Sequence, residues 1–189
     1  MIITQERRQK MRTGIIIGST REGRINAEIA AWIYKTAQSK PRNATYELID
    51  LKDYEIPFFT GAVSPRQLNK KYDNTAVQAW SEKIDSCDAY ILVTPEYNGS
   101  VPAPLKNAFD SISDEWIGKP IAFAGYSYSS GISVIKAWRA IVPAFQMQDV
   151  ADALEISLVT EVKDGVFTPA SGQLEKLESI LAKLEKAAA

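Results

Sequence analysis

The chain contains no histidine, and only one cysteine, Cys87, among its 189 residues. Without histidine, Ser-His triads and His-containing zinc sites are excluded. A lone cysteine excludes an internal disulfide, a CxxC pair and a cysteine-ligated iron–sulfur cluster. No metal site is expected. Cys87 sits in KIDSCDAYILV, at a helix-to-strand junction, and reads as a small, partly buried residue rather than a reactive thiol. Net charge is also nearly missing: 22 basic against 23 acidic residues leave −1. That balance argues against a nucleic-acid binder relying on bulk electrostatics and against an acidic tail protein, but leaves room for a local basic pocket. No apolar run approaches the ~20 residues a membrane span needs, and MIITQERRQK carries charges where a signal peptide needs an apolar block. A soluble, cytoplasmic protein without membrane or nucleic-acid partners is expected. An enzyme without histidine and with a single cysteine is expected to leave the hard chemistry to a bound cofactor.

What is present is core material, 46% of the residues being hydrophobic. Residues 1–11 read as an N-terminal extension and 12–189 as a single domain. Apolar runs suited to buried strands recur at 13–18, 46–51, 89–94 and 121–125, with a weaker one somewhere in 145–158. Helical patterns lie between them. Residues 26–38 offer Ile29, Ala30, Ile33 and Ala37 on one face, and 74–86 offer Val77, Trp80 and Ile84. A short helix at 105–112 and one at 132–142 follow, and 174–186 repeats leucine at 174, 177, 181 and 184. Strands apolar on both faces, alternating with helices, predict an α/β fold: a flavodoxin-like three-layer sandwich with a five-stranded parallel sheet in the order 2-1-3-4-5. Ligands of such sheets bind outside the carboxyl ends of the strands. Residues 54–74 form a long irregular stretch, of the kind that is often functional.

Three loops at carboxyl strand ends stand out. GSTREGRIN, residues 18–26, leads from a strand through hydroxyls and arginines into a helix. Backbone N–H groups, hydroxyl donors and guanidinium forks together suit a phosphate. The string is neither GxGxxG nor a P-loop lysine motif, so a dinucleotide pyrophosphate or a nucleoside triphosphate is disfavoured. Ser19 or Asn26 acting only as a helix cap is the plainer alternative. The second loop, TPEYNGSVPAPLKN, is stiffened by three prolines and relieved by Gly99, giving a rigid turn able to read the polar edge of a planar ring. A proline-rich turn capping the next helix explains Pro102 and Pro104 but not the whole string. The third is GYSYSSG, residues 125–131.

GSTREGRIN, TPEYNGSVPAPLKNAFD and DEWIGKP together resemble the NADPH-dependent FMN reductases, flavodoxin-like quinone, azo and chromate reductases, over about residues 12–141. The resemblance implies that Ser19, Arg21 and Asn26 contact the FMN phosphate. Arg24 is carried over with them, although many members have serine there. It places Pro95, Glu96, Tyr97, Asn98, Gly99 and Ser100 beside the isoalloxazine ring, and Gly125, Tyr126 and Ser127 in the third cofactor loop. Ser127, Tyr128 and Ser130 stand where the family has glycines, a departure on the nucleotide-facing side. The activity implied is hydride transfer from NADPH or NADH through FMN to a small-molecule acceptor (a quinone, azo compound, flavin or metal oxyanion) by a ping-pong mechanism. No side chain is needed as catalyst, because flavin N5 carries the hydride. A homo-oligomer, a dimer or dimer of dimers, is implied as well. The segment bearing Trp116, read as helical, and the aromatic residues 54–59 are candidates for subunit contact or for core. Two other functions stay open: a flavodoxin-type electron shuttle, against which the loop arginines and near-neutral charge speak, and a redox-sensing protein-binding module.

Overall fold

The computed structural model describes residues 10–188; most of the N-terminal extension, residues 1–9, lies outside them. The central strand β1 (Met11–Ile17) carries Gly14-Ile15-Ile16-Ile17, and alternate residues of a strand face opposite ways. Ile15 and Ile17 therefore enter one core and Ile16 the other. Strands β2 (Ala44–Asp50), β3 (Ala89–Pro95), β4 (Pro120–Ser127) and β5 (Gln148–Ser157) join it in a parallel sheet ordered β2-β1-β3-β4-β5. Order and class are those expected. The inner strands β3 and β4 are buried at every residue, whereas the edges β2 and β5 alternate, with Leu48 exposed. An edge strand has one neighbour, so its outer side chains meet solvent.

Helices α1 (Asn26–Gln38) and α5 (Gln173–Ala187) cover one face, packing Ile29, Ile33, Leu177, Leu181 and Leu184 onto Ile15, Ile91 and Leu154. Leu174 does not join this row but is exposed. Helices α2 (Thr75–Asp85), α3 (Ala103–Asp110) and α4 (Ile132–Ile141) cover the other face. Their core is aromatic: Phe109 stacks on Trp116 with centroids 4.1 Å apart, and Trp80, Tyr90 and Trp138 meet these two rings edge-on or tilted. Trp116 is thus a central core residue, fully buried, and lies in the turn after α3, not on a helix or at a surface. Phe58, by contrast, is 76% exposed. A small antiparallel hairpin, β6 (Val162–Lys163) and β7 (Val166–Phe167), precedes α5.

Order reverses between β1, whose next strand lies on one side, and β3, which lies on its other side. A crevice therefore opens at their carboxyl ends. Gly18 marks the spot: its N–H donates to the Val93 carbonyl at 2.9 Å, and a Cβ there would come within 2.5 Å of Leu105 on α3. Among the described residues, no helix is long and apolar enough to cross a membrane.

Candidate functional site

The loop after β1 is open in its hydrogen bonding. No backbone or side-chain acceptor among the described residues takes the N–H groups of Ser19 through Ala27. Ser19 is buried nonetheless, and neither it nor Asn26 makes a side-chain cap on α1, which disposes of the plain capping alternative. Unpaired N–H groups that converge at a helix N-terminus can take an anion. Beneath the loop, Asn26 is fully buried. Its amide nitrogen donates to the Val93 carbonyl at 3.4 Å, while its Oδ1 has no partner. Arg21 is exposed at the rim, with no ion pair among the described residues. Arg24 behaves otherwise: its guanidinium donates to both carboxylate oxygens of Asp50, at the end of β2, and to the Ser19 carbonyl.

The loop after β3 is a tight hairpin. Tyr97 and Ser100 exchange both backbone hydrogen bonds at 3.0 Å, and Asn98 and Gly99 take φ of 51° and 74° at its tip. Asn-Gly is the pair that tolerates this left-handed turn most readily. Pro95 closes β3 and is buried. The Tyr97 hydroxyl lies 3.3 Å from Ser19 Oγ, joining the first two loops. Tyr126, from the end of β4, faces the same hydroxyl. Burial raises its phenol above the usual tyrosine range, partly offset by Ser19, Arg21 and Arg24, so it stays protonated. The expected groups from three separate strands are therefore brought together here.

Two further expected side chains bond to protein partners. Glu96 directs its carboxylate to the Ser129 hydroxyl at 3.2 Å and to the Val134 N–H, in the first turn of α4, at 3.3 Å. That position suits a carboxylate, because the helix N-terminus is electropositive. Ser127 Oγ accepts the N–H groups of Ser129 and Gly131, at 3.0 and 2.9 Å. Gly125 packs against Gly131, where a Cβ would come within 2.8 Å of the Gly131 carbonyl. Ser130 keeps a φ of 65° although it stands where the family has glycine, and Tyr128 is displayed 81% exposed.

Sequence reasoning missed Asp50, whose place beside the first loop depends on strand order, and Asn107. The Asn107 amide donates to the Pro57 carbonyl at 2.9 Å and accepts from the Phe59 N–H at 3.1 Å, fastening the long 54–74 segment to α3. It also missed Glu115, a fully buried carboxylate that accepts from Tyr72, Ser81 and the Ser113 N–H and ties that segment to the core. The segment's proline and the asparagine of PLKN were the only signals. Cys87 is buried, donates to Glu47 at 3.3 Å, and has its thiol pushed up to about 12 by burial and that carboxylate. A cleft of about 930 Å³ lies at the other end of the sheet, among Arg12, Asn43, Asp88 and Glu185, and none of the three loops lines it.

A five-stranded parallel sheet in the order β2-β1-β3-β4-β5, with three loops meeting at the carboxyl ends of its strands, is a flavodoxin-like fold. The chain belongs to the NADPH-dependent FMN reductase family, whose model matches residues 11–161. It is 30% identical over 157 residues to an NAD(P)H-dependent FMN reductase of Schizosaccharomyces pombe, covering 82% of this chain and 78% of that one. A quinone reductase of Escherichia coli is 34% identical over 118 residues, covering 60% of this chain and 58% of the relative. The fold is shared with the NAD(P)H:(acceptor) oxidoreductase FerB of Paracoccus denitrificans, at a TM-score of 0.72 and 21% identity over 93% of this chain and 98% of that one. A flavodoxin of Pseudomonas aeruginosa shares it at a TM-score of 0.55 and 17% identity, over 94% and 98% of the two chains. Membership makes the protein an oxidoreductase of the FMN- and NAD(P)H-using kind.

Proposed function

We propose that the protein holds FMN across the three loops and passes electrons from NADPH or NADH to small acceptors such as quinones, as a homodimer in the cytoplasm. The observation that carries this reading is the row of unpaired N–H groups from Ser19 to Ala27, over a buried Asn26 oxygen that lacks a donor. A site in this condition has its hydrogen bonding completed from outside. One phosphate fits it, with Arg21 supplying the charge, and the residues present thus suit FMN. Bound FMN would supply the hydride-transfer chemistry that no side chain offers. The protein's part is to bind and orient. The Asn98–Gly99 tip presents backbone groups, Tyr97 and Tyr126 present hydroxyls, and the 127–131 loop, bonded to itself, stands beside them. With one face of its planar ring against the protein, bound FMN would leave only the other face to nucleotide and acceptor in turn, so steady-state kinetics would be ping-pong. Phe58 and Phe59, both exposed, are the apolar surface offered to a second copy.

The test is direct. The purified protein is expected to be yellow, to release FMN and not FAD on heating, and to oxidise NADPH with a quinone present. Double-reciprocal plots at several acceptor concentrations are expected to be parallel. A colourless protein that cannot be reconstituted with FMN would overturn the proposal, and intersecting lines with a ternary complex would overturn its kinetic part. The serine-filled, internally bonded third loop favours a second reading, a flavin-holding redox sensor. Bound FMN with negligible turnover would select that reading.

A further inference from the structure

We infer that Asp50 is a positioning residue for the phosphate cradle, acting through Arg24 on the peptide between Ser19 and Thr20. The inference rests on the FMN reading above. Arg24 Nη1 donates at once to Asp50 Oδ1, at 2.7 Å, and to the Ser19 carbonyl, while Nη2 grips Asp50 Oδ2. The two side chains are only 14% and 22% exposed, so solvent and salt weaken the pair less than they would a surface bridge. Asp50 is itself held, since Oδ1 also accepts the Lys52 N–H at 2.9 Å. A line of contacts thus runs from the turn after β2, through the carboxylate and the guanidinium, to one carbonyl of the first loop. A trans peptide is planar, with its C=O and the following N–H pointing opposite ways. Fixing the Ser19 carbonyl on Arg24 therefore fixes the Thr20 N–H on the other side, away from Arg24. That N–H is one of the unpaired donors.

A carboxylate beside a phosphate site is otherwise a liability, and this gives the inference a definite sign. If Asp50 merely competed with the phosphate for Arg24, neutralising it would tighten FMN. If it shapes the cradle, neutralising it weakens FMN. Asp50→Asn is the discriminating variant, because its amide oxygen still accepts the Lys52 N–H and only the charge and the second acceptor are lost.

The experiment titrates apoprotein with FMN and, in parallel, with riboflavin, which lacks the phosphate, following flavin fluorescence. Asp50→Asn is expected to raise the FMN Kd by about tenfold, the scale of one charge-assisted contact, and to move the riboflavin Kd by no more than about twofold. Adding Asp50→Asn to Arg24→Met is expected to weaken FMN no further than Arg24→Met alone, because the carboxylate acts through that guanidinium. Should Asp50→Asn fail to fold, Asp50→Glu keeps the charge but displaces it, and the same loss of preference for FMN over riboflavin is expected. Unchanged or tighter FMN binding in the variant that folds overturns the inference, as does equal weakening of both flavins. A wild-type protein that binds neither flavin overturns the FMN reading and this inference with it.

Discussion

Two loops at neighbouring ends of the same sheet are finished in opposite ways. Residues 19–27 leave their N–H groups without protein partners among the described residues, while the loop after β4 bonds to itself. There Ser127 alone accepts from Ser129, Ser130 and Gly131, using its hydroxyl and its carbonyl. The first loop leaves its donors to solvent or a ligand; the third spends several on its own serine. Both follow a strand and lead into a helix, so position in the fold does not decide which kind a loop becomes. The decision lies in where the acceptors are. A serine at the first position of the third loop brings its own acceptor, and Glu96 reaches across to bond Ser129 and Val134. The first loop brings arginines, which are donors.

The largest expected effect breaks the self-bonded loop. Gly131 has a φ of 67°, and a Cβ there would lie 2.2 Å from the Gly125 carbonyl carbon. Gly131→Ala is expected to destabilise the fold by about 3 kcal/mol or more, combining left-handed strain with a backbone clash. Gly23 in the open loop has a nearly equal φ of 64° but nothing within 4 Å of its Cβ position, so Gly23→Ala is expected to cost only about 1 kcal/mol. Urea denaturation of the two variants measures the contrast, and equal losses would remove the packing difference between the loops. Next, Arg21→Ala is expected to weaken FMN by about 1.5–3 kcal/mol while leaving stability nearly unchanged, as read by flavin titration and thermal melting. Unchanged affinity would make Arg21 a plain surface charge. Ser127→Ala, which leaves the Ser129 and Gly131 N–H groups without their acceptor, is expected to cost about 1–2 kcal/mol of stability, with the ratio of FMN to riboflavin affinity preserved. A change in that ratio would place Ser127 at the phosphate. The smallest effect is expected from Tyr128→Gly: a shift of roughly threefold in nucleotide KM, under 1 kcal/mol, exceeding any shift in FMN affinity. Identical nucleotide kinetics would remove Tyr128 from the site.

The five helices and the inner strands were legible because their burial follows a period. The predicted span of α1 coincides with the observed one, and β1, β3 and β4 differ at their ends by one or two residues, since terminal residues are set by neighbours and not by pattern. The fifth strand was read only weakly because β5 is an edge, half its residues facing solvent. The β6–β7 hairpin went unread although Asp164-Gly165 carries the left-handed turn signal, with φ of 51° and 79°. Within the site, Ser19, Tyr97 and Tyr126 were legible as residue types in loops. That Glu96, Ser127 and Arg24 turn to protein partners was not, because a side chain's direction depends on partners distant in sequence. The buried carboxylates Glu115 and Glu161 show the same limit. Composition marks a glutamate as exposed, and only the fold supplies the hydroxyl, amide and backbone donors that let it stay inside.

The position of Cys87 has a consequence for durability. Oxygen draws electrons readily from reduced flavins, and peroxide is the by-product a protein of this kind must survive. Peroxide attacks thiolates, not thiols, and needs access to them. The chain's one sulfhydryl is sealed in the core beside Glu47, with a pKa pushed up to about 12, so at neutral pH it offers peroxide almost no target. The lone cysteine is thereby kept out of the oxidative wear that turnover brings.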